Sequence, residues 1–183
     1  MWRNSRETFG FVAITFHWAI ALLFFGQIAL GFLTQEMANR PRLQFDLYQW
    51  HKSIGFLVLT LALLRIGWAV SSLQPEPVAG TPRWEAAAAH AAHLLLLGLT
   101  VIVPLTGWAI ASASPLRIPS FAFDLVVVPD LPLTRSDASE AFWSRLHALL
   151  AWGSGGLALA HAAAAIHHHV ARRDTTLSRM LGS

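Results

Sequence analysis

The chain of 183 residues has no cysteine, a single tyrosine, and only 13% charged residues. Without cysteine there is no c-type haem attachment, no iron–sulfur ligation and no disulfide, so any redox group has to be held non-covalently. The basic residues exceed the acidic ones by a formal charge of +3, but they are scattered, and nucleic-acid binding has no support. So little charge, set against 55% apolar residues and a mean hydropathy of +0.49, lies outside the usual range of a soluble domain.

What the chain does have is long apolar runs. Four stretches, about 11–34, 51–70, 90–111 and 146–170, each approach the ~20 residues that cross about 30 Å of hydrocarbon as a helix. They predict an all-α membrane protein: an up-and-down four-transmembrane-helix bundle, a single domain over 1–183, with the lipid bilayer as its immediate partner. The first run follows Arg3 and Arg6 like the start of a signal peptide. It is too long for an h-region and lacks a small-x-small cleavage pattern, so it is expected to remain as the first span. Four spans put both termini on one side, and the near balance of basic residues between the two sides favours cytoplasmic termini only weakly. The segment 112–144 holds Pro115, Pro119, Pro129 and Pro132 around the apolar piece Phe121 to Val128. A loop of that length suits the shaping of one entrance and can carry a short surface helix or strand. No repeat stands out beyond alanine runs, which favour close helix packing.

Into these runs the sequence inserts imidazoles. His17, His51, His147 and His161 lie in or at the edges of apolar stretches, where a polar ring is costly enough to mark a functional site. On an up-and-down path His51 and His147 share one membrane level, and His17 and His161 the other. His147 and His161 are 14 residues apart, which at 100° and 1.5 Å per residue returns to nearly the same helix face about 21 Å deeper. Each level therefore receives two rings from two helices, as two bis-histidine haems stacked across the membrane require. Zinc binding or proton transport is the competing use, but the spans lack acidic partners and an H-E-x-x-H pattern. The 14-residue step also leads from His17 to Gly31 and from His93 to Gly107, while Gly55 follows His51 by one turn. Bare backbone at these places is expected to admit the edge of a macrocycle.

Several pieces of the chain belong together: His17-Trp18, His51-x-x-x-Gly55, Arg65, His90-x-x-His93, Pro104-x-x-Gly107, Trp143-x-x-x-His147, the stretch from Leu159 through His161 to His168, and Asp174-x-x-Leu177-x-Arg179-Met180. In combination they resemble the bacterial di-haem cytochrome b-561 family nearly end to end. The resemblance implies a bundle in the bacterial inner membrane with two haem b groups and cytoplasmic termini. It further implies an oxidoreductase that oxidises periplasmic superoxide and passes the electrons through both haems to ubiquinone. An alternative within the same likeness is a haem b anchor linking the quinone pool to a periplasmic redox partner.

Roles then fall to particular residues. His51 and His147 are expected to ligate the outer haem, and His17 and His161 the inner one. Lys52, beside a ligand, either attracts the superoxide anion or pairs with a propionate, unless it snorkels to the interface. Arg65 is a counter-charge for an inner propionate or else snorkels likewise. His168, seven residues beyond His161, keeps within about 20° of the same face and about 10 Å further along, which suits hydrogen bonding to a quinone carbonyl and proton delivery. His90 and His93 are placed to form the other wall, whereas His167 and His169 are read as interfacial cations near a helix C-terminus. Purified protein should carry two b-type haems per chain, and His161→Ala should remove the inner one. A colourless protein with tightly bound zinc would overturn the haem reading.

Overall fold

Apolar side chains all around a segment, rather than along one stripe, mark helices solvated by lipid. The computed structural model describes residues 1–78 and 80–182, and in it the four runs become four long helices: α1 (Phe11–Glu36), α2 (Pro41–Ser71), α3 (Arg83–Ala113) and α4 (Asp137–His167). A π-type turn, His168–Arg172, continues α4, and a one-turn helix, α5 (Ser178–Leu181), closes the chain. All four long helices are long and apolar enough to cross a membrane.

Three of these helices start well before the apolar runs expected from the sequence. α2 begins at Pro41 rather than near residue 51, α3 at Arg83 rather than 90, and α4 at Asp137 rather than 146. Hydropathy registers only the part of a helix that sits in hydrocarbon. The polar extensions are set by local signals instead: Pro41 at the first turn of α2, where its missing N–H costs nothing, and Ser136, whose side chain caps α4 by accepting from the Ser139 N–H at 3.1 Å. As a result His51, His93 and His147 each lie ten residues after the first residue of their helix.

Consecutive helices pack against one another, α1 on α2, α2 on α3 and α3 on α4, whereas α1 and α4 touch only lightly. Most of the buried residues are small or hydroxylic, Ala62, Ala109, Ala113, Ser53, Thr106, Ser112 and Ser154 among them, with Ile20 and Val58 the large aliphatic exceptions. Large side chains such as Leu22, Leu63, Leu95, Leu149 and Leu159 face outward, as expected when lipid, not a packed core, solvates the apolar surface.

The long connection after α3 folds back on the bundle. It forms an antiparallel hairpin, β1 (Ser120–Ala122) with β2 (Val126–Val128), pairing Ser120 with Val128 and Ala122 with Val126. One hydroxyl anchors it: Ser53 Oγ on α2 donates to the Phe121 carbonyl and accepts from the Phe123 N–H, both at 3.0 Å. Ser112 secures the following stretch by accepting from the Leu131 N–H at 2.9 Å. Ser53→Ala should remove both hydrogen bonds, at about 0.5–1.5 kcal/mol each. Faster hydrogen exchange at Phe123, with the helices unchanged, is the expected readout.

Candidate functional site

At the hairpin end, α2 and α4 stand across the bundle from each other and direct His51 and His147 inward. Their ring centroids are 6.1 Å apart and the planes nearly perpendicular, at 83°. Both rings are half-buried. Toward the other end, α1 and α4 bring His17 and His161 to 6.3 Å at 72°. His93 from α3 also reaches His161, at 5.1 Å.

These separations test the fit to a metal held between two imidazoles. With about 2.0–2.1 Å from metal to each nitrogen, facing rings need centroids about 6 Å apart. The His51–His147 and His17–His161 pairs meet that spacing, while His93 stands too close to His161. Among the described residues no cluster of three or more His, Cys, Asp or Glu is suited to a bare metal ion. Two-ring sites with no further protein donor fit a macrocycle that brings its own equatorial nitrogens. The sites therefore suit bis-histidine haem, which supplies one-electron chemistry when bound.

The neighbours of the rings differ between the two levels. His147 Nδ1 lies 3.1 Å from the Val103 carbonyl and 3.0 Å from Thr106 Oγ1, both on α3. His51 Nδ1 is buried with no partner. Next to His17, Arg65 Nη2 is 3.4 Å from Nδ1, at the level expected for a propionate counter-charge, and Trp18 packs edge-on at 5.2 Å. Lys52 is tied down rather than free: Nζ donates to the Pro119 carbonyl at 3.3 Å and sits 5.3 Å from the Tyr48 ring centre. Nearby, Arg135 is ion-paired with Asp130.

The glycines singled out in the sequence lie against side chains of the site. A Cβ on Gly31 would meet His51 Cε1 at 3.1 Å, and one on Gly107 would meet His147 Cε1 at 3.2 Å. Both clear room for an imidazole. Gly55 clears room for the Gln27 side chain, which a Cβ would approach at 3.2 Å.

Beyond His161 the helix widens. The π-type turn begins at His168, and Arg173 ends it in the left-handed region with φ 54°. His168 Nδ1 is 2.6 Å from Asp174 Oδ2, and the Thr176 N–H donates to Asp174 Oδ1 at 2.9 Å. Partial burial works against the carboxylate, but the hydrogen bonds from Thr176 and His168 outweigh it and lower Asp174 to about 2. The stabilisation this gives is complete above the ordinary carboxylate range and is lost as pH falls toward 2. Arg172 holds Glu85 of α3 through two bonds of 2.5 and 2.7 Å. Trp18 Nε1 donates to the Met180 carbonyl at 2.7 Å, so the C-terminal segment covers this end of the bundle. His90, His167 and His169 are exposed. His90 therefore does not join the ring cluster that His93 enters.

Sequence reasoning located the imidazoles and missed the groups beside them: Thr106 and the Val103 carbonyl at the His147 ring, and Gln27, whose Nε2 donates to the His51 carbonyl at 2.8 Å. The Pro104-x-x-Gly107 block and a lone glutamine within the first span were the available signals.

A family model described as prokaryotic cytochrome b561 matches residues 8–183. Cytochrome b561 homolog 2 of Escherichia coli (strain K12) is 32% identical over 181 residues, covering 98% of this chain and 94% of the relative. Cytochrome b561 homolog 1 of the same organism is 27% identical over 174 residues, covering 92% and 93%.

Enlarging Gly31 should crowd the His51 ring. Gly31→Val is expected to cost about 1–3 kcal/mol by overpacking, read as a lower midpoint of thermal unfolding in detergent. An unchanged midpoint would mean that the ring moves aside freely.

Proposed function

The chain belongs to the prokaryotic cytochrome b561 family of haem b membrane electron-transfer proteins, and from that membership we propose that it oxidises superoxide at the periplasmic face and delivers the electrons to ubiquinone at the cytoplasmic face. Two haem b groups are assigned to the ring pairs, His51 with His147 on the periplasmic side and His17 with His161 on the cytoplasmic side. The observation that carries this reading is the shared centroid spacing of 6.1 and 6.3 Å at two levels of one membrane bundle. Both termini are assigned to the cytoplasm.

In this reading His51 with His147 and His17 with His161 would hold the haems, which would supply one-electron transfer; superoxide loses one electron and leaves as dioxygen. Lys52 places a positive charge beside His51, where an approaching anion benefits from it. Arg65 neutralises a carboxylate at the His17 level, and His93 packs against His161 without ligating. At the far end His168 acts on the quinone. Its Nδ1 faces Asp174, which leaves Nε2 to hydrogen-bond a quinone carbonyl and hand over a proton. Two superoxide ions and two protons reduce one quinone to quinol and yield two dioxygen molecules.

Pulse-generated superoxide should reduce the haem rapidly, and added ubiquinone should reoxidise it. Failure of the first step would rule out the substrate. His17→Ala should lose one haem per chain while His93→Ala keeps both. His168→Ala should slow haem reoxidation by quinone roughly 10²-fold, and Asp174→Asn by roughly tenfold through loss of a charge-assisted hydrogen bond. Reduction by superoxide should be unaffected in both.

A further inference from the structure

We infer that α1 and α3, the helices that contribute no imidazole at the hairpin end, hold the two rings there in a single tautomer, with Gln27 and Thr106 as positioning residues for His51 and His147. This rests on the bis-histidine reading of that pair.

The α3 side is fully formed. His147 Nδ1 is within hydrogen-bond distance of the Val103 carbonyl and of Thr106 Oγ1. A carbonyl oxygen can only accept, so Nδ1 carries the proton and Nε2 keeps its lone pair. Thr106 is buried, and its hydroxyl hydrogen is committed to the Val103 carbonyl at 2.7 Å, so its oxygen faces Nδ1 as an acceptor. Pro104 interrupts the α3 hydrogen-bond ladder in this turn, and Gly107 gives the ring its space.

The α1 side repeats the same relation around His51. From the Gly31 Cβ position, Cε1, Nδ1 and Nε2 of His51 lie at 3.1, 3.6 and 3.9 Å. From that of Gly107, the same atoms of His147 lie at 3.2, 3.5 and 4.0 Å. One turn before Gly31, Gln27 Nε2 donates to the His51 carbonyl at 2.8 Å. That bond fixes which end of the amide is nitrogen and leaves Oε1 as an acceptor. Gln27 Oε1 and His51 Nδ1 are both buried without a partner, a costly state for a donor and an acceptor on adjoining residues. The terminal amide torsion of glutamine is soft, and pairing Oε1 with Nδ1–H satisfies both groups at once.

A hydrogen-bonded Nδ1–H raises the basicity of the ring at Nε2 and so favours the oxidised state of a metal bound there. Gln27 and Thr106 thus both lower the potential of the haem at the hairpin end, from opposite sides. The experiment is a redox titration of the full-length protein in nanodiscs, with haem counted per chain. Gln27→Leu and Thr106→Val should keep two haems, raise the midpoint of one and leave the other unchanged. Wild-type titration curves for both variants would overturn the inference. Where Thr106→Val loses haem through its shape, Thr106→Ser and Thr106→Ala separate the hydroxyl from the packing: serine restores the wild-type midpoint and alanine does not, and equal midpoints for the two would overturn the role of the hydroxyl. Wild-type protein without haem b would instead defeat the ligand assignment on which the inference depends.

Discussion

An imidazole inside a lipid-solvated helix has to be satisfied by something the bundle itself provides, and in this protein α4 carries two of them on one face. His147 and His161 commit that helix to facing partners at two depths, one across the bundle on α2 and one beside it on α1. The light contact between α1 and α4 and the small side chains of the interior follow from the same demand. A tightly packed apolar core would leave the rings nowhere to meet.

The two levels are built differently. At the hairpin end the His147 ring is held by the Val103 carbonyl and Thr106 of α3, and the loop 114–136 is drawn over this level by Ser53 and Ser112. At the end bearing the termini, charge takes over: Arg65 beside His17, Arg172 on Glu85, and Asp174 on His168. One end is thus built from neutral hydrogen-bonding groups and the other from charged pairs.

The π-type turn at His168 shows how local backbone serves this arrangement. A regular helix would carry residues 168–172 straight on, away from the bundle. The wide turn, ended by left-handed Arg173, brings Asp174 back onto His168, with the Asp174 N–H donating to the His168 carbonyl at 3.3 Å. The same reversal lets Met180 reach Trp18 on α1.

Apolar run length and the 14-residue spacing of His147 and His161 were enough, in the sequence alone, to fix four spanning helices and the pairing of the four histidines by depth, because hydrocarbon thickness and helical pitch are constants. The polar helix extensions before His51, His93 and His147 were illegible, since hydropathy is silent outside the membrane. Which neighbour each ring meets was decided only in three dimensions. His93 and His17 both reach His161, and only the centroid distances separate them. Gly31, Gly55 and Gly107 look alike in the sequence, yet two clear space for imidazoles and one for Gln27. That difference depends on helix rotation and side-chain direction, which periodicity along one chain does not encode.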